Sequence, residues 1–383
     1  MADKKKKIRT DLRKNRNVRT RETDLTRKFA EHGFEEEDTV QSERVSGKGD
    51  LVRRRTLSGA EIQEDDAGQN IQLAIDPNLS RLGRVLQVQG LVSTVQAEPA
   101  STEDCQEPDI CKCATRGLLK TLSTDQRHIL AAGDRVWFLP QGNNEGVIQR
   151  IEPRRGVLSR TSRGRQHVIV TNVDQLIIVA SLAEPYLKPN LIDRFLVTAE
   201  KSRIRPLIVL NKIDLVEPAD VQPLVGVYSQ MGYETLLTSA QTGQGIARLR
   251  QVLIGRESVV SGQSGVGKSS LLNVVDDGLG LRVQTVSVET QKGRHTTTTA
   301  ELIPLSQGGY VVDTPGIRQF QLWDVVSAEV AGFFRDIRPL VSRCRFPDCT
   351  HTHELDCAVK DAVADCLIDA RRYESYVKIF AGD

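Results

Sequence analysis

Residues 261–270 read SGQSGVGKSS and residues 211–214 read NKID. The run from Gly262 to Ser269 fits G-x-x-x-x-G-K-[ST], and in VVSGQSGVGKSSLLNVV it sits between an apolar strand and a helix, the setting a phosphate-binding loop requires. Its glycines let backbone N–H groups turn inward around phosphates, and the helix N-terminus adds partial positive charge. The expected phosphate-loop contacts are Gly262, Gln263, Ser264, Gly265, Val266, Gly267, Lys268, Ser269 and Ser270. Lys268 would meet the β and γ phosphates, and Ser269 would give its hydroxyl to Mg²⁺.

NKID gives the nucleotide its identity. The Asp214 carboxylate can accept from both N1–H and the N2 amine of guanine, a donor pair that adenine lacks. Lys212 would lay its stem over the base, Asn211 would tie this segment to the phosphate loop, and Thr238-Ser239-Ala240 would offer a backbone N–H to guanine O6. DTPG follows the apolar YVV, so Asp313 stands at a strand's C-terminal end, placed to hold Mg²⁺ through water, with the Gly316 N–H within reach of a γ-phosphate. In guanine-nucleotide hydrolases the phosphate loop usually comes first and NKxD last. Here NKID and TSA precede the phosphate loop, RHTTTT and DTPG, the usual order rotated. A rotation keeps every contact and moves only the termini, which often lie close together on a domain's surface.

Working outward, HVIVTNVDQLIIVASLA, PNLIDRFLVTAEKS, PLIVLNKID, ETLLTSA and IARLRQVL alternate strand with helix, which predicts a mostly parallel sheet covered by helices over residues 166–328. Upstream, GRVLQVQG, LVSTVQA, DRVWFLP and EGVIQRIEP are short strands punctuated by Gly and Pro. They predict a small all-β barrel over residues 80–163, OB-like or SH3-like by spacing alone. The stretch from Ala97 to Lys112 reads as an insertion in it.

Residues 1–75 show no settled period and read as a disordered charged arm. Twelve Lys and Arg stand against four Asp and Glu between Met1 and Lys28, although the 383-residue chain carries a net charge of only +2. Such an arm suits a nucleic-acid backbone. No apolar h-region follows the basic run and no stretch suits a membrane span, so a cytoplasmic protein with no membrane partner is expected.

Seven cysteines without an export signal argue against a disulfide framework. In CRFPDCTHTHELDC, the spacing C-x4-C-x-H-x5-C gives Cys344, Cys349, His351 and Cys357 as a closed tetrahedral set for one structural zinc, with His353 a competing ligand and Cys366 expected to be packed. This cluster lies in a helical domain predicted over residues 329–383. Cys105, Cys111 and Cys113 have no histidine nearby and read as ordinary thiols.

NKID, GQSGVGKSS, GRHTTTT, DTPGIRQFQLW and the Cys/His cluster, in that order, resemble the circularly permuted GTPases of small ribosomal subunit maturation, the RsgA or YjeQ family, from about Gly83 to the C-terminus. The resemblance implies an OB-fold domain, a permuted GTPase domain and a zinc domain. It also implies GTP hydrolysis to GDP stimulated by the small ribosomal subunit, with that subunit and its rRNA as partners, and it leaves His353 outside the zinc shell. Ile317 occupies the position where Ras-like enzymes carry a water-orienting glutamine, and the resemblance assigns catalysis to His295 alongside Lys268. Of Thr296 to Thr299, Thr297 is the expected Mg²⁺ ligand. A monomer is expected. Three other readings are a nucleotide-gated rRNA-binding module with little turnover, a permuted GTPase of large-subunit assembly, and an ATP-dependent phosphotransferase, the last opposed by Asp214.

Overall fold

The computed structural model describes residues 7–12, 53–58, 60–65, 68–73, 75–76, 78–98, 109–115, 130–162, 165–281, 300–313 and 325–382. His295, Thr297, Gly316 and Cys105 lie outside them. Where the sequence predicts a disordered arm, β1 (Lys7–Leu12) pairs antiparallel with β2 (Arg53–Ser58), and β3 (Ala60–Asp65) pairs with β4 (Gly68–Leu73). AEIQED and GQNIQL do alternate, with Ile62 opposite Ile71, but with too few apolar residues to stand out from the surrounding charge.

Five strands follow: β5 (Arg81–Gln89), β6 (Val92–Ala97), β7 (Ile110–Thr115), β8 (Arg135–Gly142) and β9 (Glu145–Ile151). Their order is β5-β6-β7-β9-β8, and β8 pairs back onto β5, so the barrel closes. The β7–β9 pair is parallel and the others antiparallel. This is the OB arrangement, which strand spacing could not separate from an SH3-like one. Val85, Val95, Cys111, Cys113, Val136, Phe138 and Ile148 fill its interior. The expected insertion is therefore shorter than predicted, since Ile110–Lys112 already belong to β7.

Hairpin β10 (Leu158–Ser162) and β11 (Arg165–Val170) carries the chain to the second sheet; the domain boundary predicted at 163–166 falls at its tip. That sheet contains β12 (Gln175–Ser181), β13 (Arg205–Asn211), β14 (Glu234–Thr238), β15 (Glu257–Ser261), β16 (Glu301–Pro304) and β17 (Tyr310–Asp313) in the order β14-β13-β12-β15-β17-β16. Every pair is parallel except β16–β17. Because side chains alternate across a strand, the continuous apolar runs feed two cores. Leu176, Ile178, Ile208 and Leu210 pack on one face against α1 (Pro189–Lys201) and α2 (Pro218–Gln230). Ile177, Val179, Leu207 and Val209 pack on the other against α3 (Ile246–Leu253) and α4 (Lys268–Val275).

The C-terminal part comprises α5 (Val330–Phe333), α6 (Ala358–Ala364) and α7 (Ala370–Ala381) around Phe334, Ile337, Val359, Ile368 and Tyr376, joined by Val197 of α1. Cys366 is exposed, contrary to its expected packing. It follows the end of α6 with φ +57°, in a turn whose buried contacts are made by Ile368. No helix among the described residues is long and apolar enough to cross a membrane.

Two polar seams join the barrel to the chain that follows it, one at the end of hairpin β10–β11 and one at the sheet. Asp134 is fully buried; it accepts from Arg154 Nε and Nη2, both at 2.8 Å, and from the Thr171 hydroxyl at 2.8 Å. Arg84 of β5 pairs with Glu257, the first residue of β15, and lies 5.4 Å from the centre of the Tyr310 ring. Removing one member of a buried pair strands the other charge, so Arg154→Met should destabilise the protein by about 3 kcal/mol in urea denaturation, with Asp134→Asn restoring part of the loss.

Candidate nucleotide and metal sites

The parallel strands bring the predicted nucleotide motifs to one edge. Ser181, Asn211 and Thr238 lie in register at the C-terminal ends of β12, β13 and β14. Beside them β15 ends at Ser261 and opens directly into the glycine loop, while β17 ends at Asp313. That is the edge at which open α/β sheets bind ligands.

Asn211 joins the two motifs. Its buried side chain donates from Nδ2 to the Val266 carbonyl at 2.8 Å, and its Oδ1 accepts from the Thr238 hydroxyl at 3.3 Å. Gly267, at φ +95°, is what permits this, because a Cβ there would lie 2.4 Å from Asn211 Nδ2. Gly262 is constrained in the same way: at φ +148° its Cβ would meet the Val179 carbonyl oxygen at 2.1 Å. Lys268 opens α4, and its ammonium donates to the carbonyls of Gly262 at 2.8 Å and Gln263 at 2.7 Å, so its charge lies over the loop. Gln263, Gly265, Ser269 and Ser270 are half-buried, Val266 is buried and Ser264 is exposed.

The base-reading segment is shaped by backbone strain. Lys212 takes φ +69°, its ammonium donates to the Glu184 carbonyl, and Asp214 is left exposed on a single turn, Ile213–Leu215. No group among the described residues hydrogen-bonds the Asp214 carboxylate, which leaves both its oxygens for a ligand. Buried Ser239 accepts on its hydroxyl from the N–H groups of Gln241 at 3.2 Å and Thr242 at 3.1 Å, fixing the turn that presents Ala240. Glu184 was not expected to contribute, nor was the Thr238 hydroxyl's bond to Asn211, and only the fold places them beside NKID.

The second cluster also assembles. Cys344 Sγ lies 3.4 Å from His351 Nδ1 and 3.9 Å from Cys357 Sγ, Cys357 Sγ lies 3.5 Å from His351 Nδ1, and the ligand atoms of these residues and Cys349 fall within 4.8 Å of one another. A tetrahedral ion with zinc's bond lengths requires S···S near 3.8 Å and S···N near 3.6 Å, about what is found. His351 Nδ1 faces the sulfurs and is the nitrogen placed to ligate; Nε2 is buried with no hydrogen-bond partner among the described residues. Burial pushes the Cys349 thiol up to about 12 and the His351 imidazole down, so without a cation the pocket favours neutral groups. A bound cation would hold the sulfurs as thiolates.

Glu354 shapes the ligand loop, accepting from the Thr350 N–H at 2.7 Å and the Thr352 N–H at 3.0 Å, while His353 points to solvent, 82% exposed. Cys111 and Cys113 face the barrel core, with burial pushing Cys113 up to about 12, and so behave as ordinary core thiols. Gly267→Ala should break the Asn211–Val266 bond and force a disfavoured backbone, lowering stability by about 3 kcal/mol as read by thermal or urea unfolding.

A family profile described as RsgA GTPase matches residues 151–323. The small ribosomal subunit biogenesis GTPase RsgA of Thermotoga petrophila is 40% identical over 298 residues, covering 77% of this chain and 96% of that protein. Its namesake from Gemmatimonas aurantiaca is 44% identical over 255 residues, covering 65% and 83%. Among solved structures, YjeQ from Thermotoga maritima matches with a TM-score of 0.64 at 36% identity, covering 79% of this chain and 98% of that one. YloQ, a circularly permuted GTPase, matches with a TM-score of 0.61 at 30% identity, covering 80% and 97%. A closed barrel, a GTPase sheet entered at β12 instead of β15, and a Cys/His cluster behind it agree with these likenesses, and the chain belongs to the RsgA GTPase family.

Proposed function

We propose that this protein hydrolyses GTP to GDP and phosphate, is stimulated by the small ribosomal subunit, and acts late in that subunit's maturation. The observation that carries the reading is the Asn211 bridge, which holds a guanine-selecting segment against a phosphate loop at the C-terminal edge of the sheet. Asp214 selects the base, Lys212 and the Ser239–Ala240 turn flank it, and the backbone N–H groups from Gly262 to Ser270 surround the phosphates. Lys268 exchanges its carbonyl partners for phosphate oxygens. Ser269, Thr297 and Asp313 would hold the Mg²⁺ that accompanies GTP, which would neutralise charge on the phosphates, and the Gly316 N–H would meet the γ-phosphate.

The attacking water needs an orienting group. The Ile317 side chain offers no hydrogen bond, so intrinsic turnover is slow, and His295 orients the water when the ribosome is bound. Cys344, Cys349, His351 and Cys357 hold one structural zinc. The OB barrel and the zinc domain face rRNA, with the basic arm adding salt-dependent attraction. The protein works as a cytoplasmic monomer.

Turnover by the purified protein should rise strongly with isolated small subunits and remain low with large subunits or bare RNA. Equal, slow turnover in all cases would instead support a nucleotide-gated rRNA-binding module. His295→Ala should leave nucleotide affinity within about twofold while removing most of the stimulation, a loss on the order of 100-fold or more. Asp214→Asn should weaken GTP binding and improve binding of xanthine nucleotides, measured by competition; unchanged guanine selectivity would refute the role of Asp214.

A further inference from the structure

Helix α7 holds the metal-ligating loop and the GTPase domain at once. Its Tyr373 and Tyr376 hydroxyls donate to the carbonyls of His351 and Thr350, both at 2.7 Å. Its Arg372 reaches α1, where it donates to Asp193 Oδ1 at 2.5 Å, and also to Asp336 at 3.0 and 3.1 Å. Asp193 accepts in addition from Tyr228 of α2 at 3.0 Å. Arg372 is 2% exposed and Asp193 0%. Two further pairs, Glu200–Arg335 at 2.6 Å and Lys201–Glu329 at 3.1 Å, lie further along α1 and hold it to the same domain.

The other side of α1 belongs to the nucleotide site. Leu191, Ile192 and Phe195 line one side of a small, partly open recess whose lining also includes Gln263 and Val266 of the glycine loop. The segment leading into α1 also supports NKID: the Leu182 N–H donates to the Asn211 carbonyl at 2.9 Å, and the Glu184 carbonyl receives Lys212. Asp193 therefore constrains where α1 can sit. With Arg372 in place its carboxylate is paired. If the C-terminal domain loosens, a buried charge is stranded, and α1 must shift until water reaches it, moving a wall that borders the glycine loop and the segment that supports NKID.

We propose that Asp193, clamped by Arg372, is a positioning residue for the guanine-nucleotide site, through which metal occupancy of the Cys344/Cys349/His351/Cys357 cluster and nucleotide affinity are thermodynamically linked. This rests on the nucleotide and metal sites proposed above. Linkage is reciprocal, so the metal must change GDP affinity by the same factor by which GDP changes metal affinity.

The test uses the full chain, with GDP affinity measured by a fluorescent analogue on zinc-loaded and chelator-stripped protein, and zinc affinity measured by chelator competition with and without GDP. Both ratios should be about tenfold in the wild type. In Asp193→Asn, where α1 no longer carries a buried charge and Arg372 keeps Asp336 as its partner, both should fall below twofold, while the cobalt-substituted cluster keeps its wild-type absorption spectrum. Arg372→Lys should retain most of the coupling. If stripping merely melted the protein, GDP binding would be lost in the wild type and Asp193→Asn alike, and the inference would be wrong. Tight GDP binding that ignores the metal in the wild type, or tenfold coupling that survives in Asp193→Asn, overturns it too. Failure to bind GDP in any state overturns the nucleotide-site reading and this inference with it.

Discussion

The approach of Asn211 to the phosphate loop is the constraint on which the rest of the architecture depends. A side chain on β13 can bond the Val266 carbonyl only because Gly267 has no Cβ, and only if β12 lies between β13 and β15 in the sheet. Neither condition refers to chain order. The permuted chain satisfies both by entering the sheet at β12 and joining α3 to β15 through Ile254–Arg256, where the Arg256 N–H bonds the Leu253 carbonyl at 3.2 Å and the Gly255 N–H bonds the Gly308 carbonyl at 3.1 Å. The joint is a tight turn at the edge away from the phosphate loop. The freed ends are those of β12 and β17, two of the strands flanking β15, and to these the barrel and the metal-binding domain attach.

Both attachments use buried charge, and their electrostatics differ. At the barrel seam burial dominates: desolvation lowers the Arg84 pKa although Tyr310, Glu98 and Asp174 act to raise it. At the C-terminal seam burial also works against the Arg372 cation, but Asp193 and Asp336 more than offset it, leaving that guanidinium more firmly protonated than in water. Burial raises the Asp193 carboxyl in turn, with Arg372 and Tyr228 pulling it back. Such pairs add little net stability compared with well-packed apolar contacts, but they penalise misalignment steeply. An apolar seam would let α1 slide, whereas a buried carboxylate with one cationic partner does not.

What could be read from the sequence was local. The glycine loop, α1, α3, α4 and the strands around them follow from runs whose period and punctuation are contiguous, and the four metal ligands follow from spacing within one loop. Helix α2 escaped because Pro223 interrupts it and its apolar residues form no clear stripe. The hairpins within residues 1–75 escaped because charge outweighs their alternation, and Cys366 misled because a thiol beside a helix usually packs. The Asp193–Arg372 pair spans 179 positions, and nothing in LIDRFL or DARRYE marks either partner; only the docking of α7 on α1 shows it.

Strand polarity fixes how each attached body addresses the chemistry. Strand β5 runs parallel to β17, with β16 between them antiparallel to both. Arg84 of β5 therefore meets Glu257 and Tyr310, where β15 and β17 begin, while Gln87 pairs with Glu301, opposite Asp313, where β17 ends. Strand β5 thus runs toward the edge where the nucleotide motifs gather, meeting β16 there at Glu301. The C-terminal domain docks on α1 through Arg372, Arg335 and Glu329, and α1 in turn borders Pro185 and Gln263. The two bodies therefore address the sheet from different directions, the barrel along β5 beside β16 and the C-terminal domain through α1.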